Sequence, residues 1–368
     1  MKRSDNKNPM TEIRNRIVDL LVETVHQHGE IGLFPHVGAD GDALGSAIGL
    51  ALALNRAGGH ARIFTDEPVS ARLSFIPALE LVSVYRDLNS DNWPASLDLA
   101  MAIDCTDPER LGCRQEIYRD GKIQAALDHH VSSGESGGYK MIDPEAAATG
   151  EIIADVVVEL EARLQKPLID RETAMALMTA IISDTGGFVY SNTTARSFAT
   201  AARLMAFDPD LRLITYRLFD ETTPTRLRLT GRLFNDAAFL AEGKLIYARV
   251  DQPLLKSMQA SEQDLDGIIA DLRKVAGVEV ALMFRELQDG AIRINIRSND
   301  HFHAANFAAT FGGGGHAKAA GMTVRNKTLD TVVDEVLNLA LTWLERPKAP
   351  GADRGPAVYV SAQALSNP

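Results

Sequence analysis

The sequence predicts an α/β protein: an N-terminal domain with a parallel sheet flanked by helices, a helical linker, and a smaller C-terminal α/β domain. Three observations predict it. Short apolar runs alternate with amphipathic stretches from about residue 12 to 205, the pattern of strands and crossover helices. Further on, Gln288-Asp289-Gly290 separates two apolar runs, and Asp-Gly in that position is a strong hairpin signal. The chain has 368 residues, too many for one ordinary domain, so two domains are expected.

In the first domain, 12–208, Ile31–Phe34, Leu97–Ile103 and Lys122–Leu127 read as buried strands. Stretches 43–57, 149–165 and 171–183 carry Ala and Leu at helical spacing. Asp208-Pro209-Asp210 is a turn, and the Arg-rich stretch 209–240 reads as a helical linker. The second domain, 241–345, opens on a strand at Lys244–Val250, followed by a helix near 261–275. Strands at Val278–Leu287 and Ala291–Arg297 flank the Asp-Gly turn. A helix at 303–310, the glycines 312–315, an apolar segment at 319–324 and a helix at 328–344 complete it. Residues 346–368, rich in Pro, Gly and Ala, read as a loose tail.

Composition narrows the function. The chain is 45% hydrophobic and 24% charged, which excludes a disordered or fibrous protein. A net charge of −11 argues against a broad basic face for duplex DNA, but not against a small anion held by metal ions. The charge is uneven: Lys244–Lys327 carries a net +2, which makes the second domain the better home for a polyanion. Cys105 and Cys113 have no metal-binding or disulfide spacing. The polar start lacks the apolar core of a secretory signal, and the longest apolar run near it, Ala47–Leu54, is far short of the roughly 20 residues that span a bilayer. A cytoplasmic protein with no membrane partner is expected. A homodimer stays open, because periodicity isolates no apolar seam.

The candidate chemistry sits at strand ends, where ligands bind on parallel sheets. After the first strand comes His36-Val-Gly-Ala-Asp40-Gly-Asp42, after the second Asp104, and after the third Asp128-His129-His130. Asp184 closes an apolar helix. An isolated Asp-x-Asp in a glycine loop is ordinarily a solvated turn, and an Asp after a strand is often a helix cap. All of them together, in order, point to a shared site. Asp40, Asp42, Asp104 and Asp184 crowded together would carry four negative charges, which two divalent cations would cancel. A mixed carboxylate and imidazole set suits Mn²⁺, Mg²⁺ or Fe²⁺ better than a thiolate-loving ion.

The ordered set His36-x3-Asp40-x-Asp42, Asp104, Asp128-His129-His130 and Asp184 resembles the DHH phosphoesterase superfamily. Phe311-Gly-Gly-Gly-Gly-His316-Ala-Lys-Ala-Ala-Gly321, with Arg297-Ser298 before it, resembles the family's DHHA1 substrate-binding domain. Chain length and the short linker are most similar to its bacterial nano-RNA hydrolases, which degrade very short oligoribonucleotides; many also dephosphorylate 3′-phosphoadenosine 5′-phosphate (pAp). One departure is Gly38-Ala39, where the family commonly has Asn-Pro; neither is a ligand.

The resemblance implies one ion on His36, Asp40 and Asp104 and another on Asp42, Asp104, His129 and Asp184, with Asp104 bridging. Mn²⁺ is the first expectation, with Mg²⁺ or another divalent ion as the alternative. It implies in-line attack on phosphorus by a hydroxide shared between the ions, with His130 facing the substrate phosphate and Asp128 orienting an imidazole. Arg297 is expected to fork a phosphate. Ser298, Gly313, Gly314, Gly315 and His316 are expected to bind substrate too, the glycines through exposed N–H groups that form an anion nest. Ser46 and Ser183 are expected to orient loops, and Cys105 to be a small buried side chain. Expected partners are short single-stranded RNA or dinucleotides, and pAp. The competing readings are a cyclic or linear dinucleotide phosphodiesterase and, from another class, a non-catalytic RNA- or nucleotide-binding module.

Overall fold

A computed structural model of the protein describes residues 9–85, 96–130 and 139–345. The expected tail, 346–368, and most of the polar start lie outside the described residues. The chain divides into two compact units between Glu221 and Thr222.

The first unit runs α1 (Pro9–His26), β1 (Glu30–Pro35), α2 (Gly41–Ala57), β2 (His60–Thr65), β3 (Val82–Val84), β4 (Leu99–Ile103), α3 (Gln115–Asp120), β5 (Ile123–Asp128), β6 (Tyr139–Ile142), α4 (Thr149–Leu164), α5 (Arg171–Thr185), α6 (Ala195–Met205) and α7 (Leu211–Thr215). Its six strands are all parallel, in the order β3-β2-β1-β4-β5-β6. The order reverses direction between β1 and β4, and that switch point is where doubly wound sheets open a crevice for ligands. The sequence pattern finds β1, β4 and β5, which are apolar and buried nearly throughout. It misses β2, β3 and β6, which lie at or next to the sheet edges, where half-exposed residues blur the apolar run.

Packing of helices on this sheet fixes the site. A Cβ at Gly45 would lie 2.5 Å from the Ala176 carbonyl oxygen, and one at Gly49 would lie 2.5 Å from Leu177. These two glycines, one helical turn apart, let α2 lie directly against α5. The N-terminus of α2 and the C-terminus of α5, which carries Asp184, are thereby held in fixed relation within one buried core.

The second unit comprises α8 (Pro224–Asp236), β7 (Ala238–Leu240), β8 (Leu245–Val250), α9 (Gln252–Met258), α10 (Ile268–Arg273), β9 (Val280–Glu286), β10 (Ile292–Ser298), α11 (Ala304–Ala309), β11 (Gly314–His316), β12 (Ala319–Val324) and α12 (Leu329–Leu344). Its mixed sheet has the order β11-β12-β10-β9-β8-β7. The Asp-Gly hairpin joins β9 to β10 in antiparallel register. The helix expected near 261–275 is instead a 3₁₀ turn, Glu262–Leu265, followed by α10, because Asp266 is extended and Gly267 left-handed.

The stretch expected to be a linker is shared between the units. Ile214 and Leu218 belong to the core of the first, whereas Leu229 and Leu233 on α8 are buried in the second. Among the described residues, no helix is long and apolar enough to cross a membrane.

Candidate metal centre

Strand register assembles the first row. β1, β4 and β5 align Pro35 with Ile103 and Ile103 with Leu127. The residues that follow, His36, Asp104 and Asp128, therefore stand side by side at the carboxyl edge of the sheet, across the switch point. Asp104 leaves β4 at φ +63°, a left-handed conformation that Asp and Asn tolerate better than other side chains. Its N–H donates to the Leu127 carbonyl at 2.8 Å, which fixes the turn.

The helices add the remaining groups. Asp40 is the N-cap of α2 and accepts the N–H groups of Asp42 and Ala43 at 3.1 Å. Asp42, in the first turn of α2, is fully buried. Its Oδ2 accepts the Thr149 N–H at 2.7 Å, and its Oδ1 accepts the Gly150 N–H at 3.0 Å and the Ser46 hydroxyl at 3.0 Å. A helix N-terminus thus holds the carboxylate. The Thr149 hydroxyl donates to Asp104 Oδ1 at 2.7 Å. Sequence reasoning missed Thr149 and Gly150; their position at the start of a readable helix was the available signal.

All three imidazoles share one orientation. His36 Nδ1 lies 2.9 Å from the Val37 carbonyl, His129 Nδ1 lies 3.2 Å from the Ala146 carbonyl, and His130 Nδ1 lies 2.8 Å from Asp128 Oδ1. Each partner can only accept, so each Nδ1 carries the proton. His36 Nε2 is then 3.4 Å from Asp104 Oδ2 and 3.9 Å from Asp40 Oδ1. His129 Nε2 is 3.2 Å from Asp184 Oδ2, 3.6 Å from Asp104 Oδ1 and 3.7 Å from Asp42 Oδ2. His36 with Asp40 and Asp104, and His129 with Asp42 and Asp184, form two groups whose donor atoms converge, and Asp104 also groups with His129 and His130.

These residues fit metal ions. Among the described residues, His129 Nε2 is buried and has no hydrogen-bond partner, though three carboxylates face it. A nitrogen so placed needs positive charge between it and the carboxylate oxygens, which a second proton or a metal ion would supply. The spacings also suit one: ligands about 2.1 Å from an octahedral ion stand about 3 Å apart. Electrostatics describe the same shortage of positive charge. Burial, with Asp104 next, raises the pKa of Asp40; burial, with Asp104 and Asp184, raises that of Asp42 well above the carboxylate range. Burial alone would lower that of His129, but Asp184 and Asp104 outweigh it and push it up to about 9. His36 is raised in the same way, with burial opposed chiefly by Asp104. Asp128 differs: burial would raise it, but the two hydrogen bonds from His130 hold it below its ordinary value. Cys105 is buried and its thiol is pushed up to about 12, which makes it inert packing.

In the second unit, Arg297 pairs in register with Ala319, and Ala319 with His316. Cross-strand partners point to one face, so Arg297 and His316 flank a small residue on the same face. Ser298 is the next residue on the same strand. It points the other way, is fully buried, and its hydroxyl lies 3.4 Å from the Ala317 carbonyl. Part of the glycine run expected to form an anion nest is engaged within the fold. The N–H groups of Gly312 and Gly313 already serve the carbonyls of Ala309 and Ala308 as a helix cap, and Gly314 and Gly315 continue into edge strand β11. Gly313 is required by packing, since a Cβ there would lie 2.4 Å from the Gly321 carbonyl oxygen.

Comparison with known proteins agrees with this architecture. The family descriptions "DHH family, N-terminal domain" and "DHHA1 domain" match residues 30–181 and 242–346. Asp184 lies three residues beyond the first match. The bifunctional oligoribonuclease and PAP phosphatase NrnA of Thermus thermophilus is 31% identical over 322 residues, covering 86% of this chain and 91% of that protein. Its counterpart of the same name in Bacillus subtilis is 25% identical, covering 83% and 92%. A crystal structure of an exopolyphosphatase-related protein from Bacteroides fragilis superposes with a TM-score of 0.81 at 20% identity, covering 90% of this chain and 98% of that one, and shows the same fold.

Fold and donor set place the protein among the phosphoester hydrolases that depend on metal ions. The chain belongs to the DHH family, its DHH domain followed by a DHHA1 domain.

Proposed function

We propose that the protein hydrolyses very short oligoribonucleotides to mononucleotides and converts pAp to AMP. The observation that carries the chemistry is Asp104, whose Oδ2 faces His36 and whose Oδ1 faces His129. One carboxylate addresses both donor groups. We assign His36, Asp40 and Asp104 to one divalent ion and Asp42, Asp104, His129 and Asp184 to a second. Carboxylate and imidazole donors favour Mn²⁺, with Mg²⁺ as the alternative. Such a pair of ions, when bound, activates water at neutral pH and polarises the phosphoryl group.

The chain's own residues supply orientation. His130 commits Nδ1 to Asp128 and so directs Nε2 away from it, toward a substrate phosphate oxygen. Asp128, held below its ordinary pKa by that contact, fixes the tautomer and the orientation of the ring. Arg297 and His316 offer a planar fork and an imidazole on one face for a second phosphate contact, with Ala319 leaving room between them. The names of the relatives supply the substrate class.

A turnover assay with Mn²⁺ tests the reading on a ribodinucleotide, a 24-nucleotide RNA, pAp, cyclic di-AMP and pyrophosphate. Fast release of mononucleotides from the dinucleotide, with pAp second and the long RNA slow, is expected. Dominant turnover of cyclic di-AMP or pyrophosphate would overturn the substrate assignment, and no turnover would favour a binding module.

A further inference from the structure

One short stretch of chain, residues 146–150, supports one side of the cluster and leaves the other alone. The Ala146 carbonyl accepts from His129, the Thr149 and Gly150 N–H groups hold both oxygens of Asp42, and the Thr149 hydroxyl holds Asp104 Oδ1. Asn192 ties the same stretch to the end of α5, because its Nδ2 donates at 3.0 Å to the carbonyls of both Ala147 and Asp184. His36 and Asp40 rest instead on their own loop, through the Val37 carbonyl and the first N–H groups of α2.

The stretch is itself pinned from outside. Arg196 on α6 lies 2.6 Å from Asp143, 3.5 Å from Glu151 and 3.1 Å from Asp155. Glu151 is fully buried, and its Oε2 accepts the Ala147 N–H at 3.4 Å. The support therefore runs from Arg196 through Glu151 to Ala147, two residues before Thr149, and none of these contacts is to His36 or Asp40.

We propose that Thr149 is a positioning residue that sets the ion affinity of the Asp42–His129–Asp184 half of the cluster separately from the His36–Asp40 half. The inference rests on the two-ion reading above. Its physical basis is the rotation of Asp104. The buried hydroxyl has one proton and gives it to Oδ1, which holds that oxygen toward His129 while Oδ2 faces His36. Without the hydroxyl, Oδ1 loses that hydrogen bond, and the carboxylate, which turns as a rigid unit, is free to swing away from the His129 side. Turned so, it still offers an oxygen to the His36–Asp40 side, whose other two donors rest on their own loop.

The test is a calorimetric Mn²⁺ titration of the metal-free full chain. Thr149→Val keeps the branched shape, and Thr149→Ser keeps the hydroxyl. Wild type is expected to bind two ions. In Thr149→Val one ion should weaken about 10–100-fold, the usual cost of losing a ligand-orienting partner, with the other little changed. Thr149→Ser should restore both. Arg196→Gln, which leaves the hydroxyl untouched, should weaken the same single ion and keeps the test informative if the valine variant fails to fold. Two ions weakened equally, no change in either, or no restoration by serine would overturn this inference alone. A wild-type stoichiometry of one ion would overturn the two-ion reading together with it.

Discussion

The carboxylate–imidazole cluster and the Arg297–His316 row handle charge in opposite ways. In the first unit Asp42 is fully buried and Asp104 nearly so, and each is fixed by hydrogen bonds from residues far along the chain. In the second unit Arg297 is half-buried and His316 exposed on the rim of a sheet. Buried carboxylates are costly without a counter-charge, so a cluster of them is a site that the fold holds ready for cations. The rim guanidinium donates one N–H to the Ile296 carbonyl at 3.0 Å. The contrast separates the centre we propose for the reaction from the surface we propose for phosphate capture.

The largest expected effect breaks the cluster at its centre. Asp104→Asn keeps a side chain suited to left-handed backbone but removes the charge shared by both groups; kcat should fall by about 10²–10³-fold or more, as when one preorganised charge-stabilising group is lost, with the melting curve still cooperative. Activity near wild type would remove Asp104 from the centre of the comparison.

The capture surface should respond differently. Arg297→Lys keeps the charge and loses the fork, so KM for a dinucleotide should rise about 10–150-fold, the range of about 1.5–3 kcal/mol for a charged hydrogen bond, with kcat close to unchanged. A fall in kcat with constant KM would place Arg297 with the reaction centre instead.

The metal-free protein should also report its uncompensated charge. His129 has a folded pKa of about 9, above its ordinary 6.5, so its contribution to stability is present below pH 6.5 and is lost as pH rises through 9. Asp42, raised by burial, acts in the same direction because deprotonation is disfavoured in the fold. The melting temperature of metal-free protein should therefore fall between pH 6.5 and 9, and added Mn²⁺ should largely remove that dependence. Thermal melts over that range with and without the ion decide the point; a flat profile for metal-free protein would contradict it.

The smallest effect tests the buried position of Ser298. Ser298→Ala removes one buried hydroxyl and should cost about 1 kcal/mol of stability while leaving KM within about twofold. A large rise in KM would return Ser298 to the capture surface.

The sequence by itself determined the fold class, and its family resemblance singled out the six residues we propose as ion ligands. It could do so because those signals are local. Apolar runs mark β1, β4 and β5, each donor follows its strand or ends its helix, and a parallel sheet brings strand ends to one edge. Tertiary structure alone decided the rest. It set the order β2-β1-β4 that puts His36 beside Asp104, the orientation of three imidazoles, the support from Thr149 and Gly150, and the burial of Ser298. The bond from Thr149 to Asp42 spans 107 residues and that to Asp104 spans 45. No periodicity within either segment encodes such a contact. It forms where α2 and α4 both pack on α5, Gly45 against Ala176 and Gly150 against Ala180, and where strand register brings β4 level with β1.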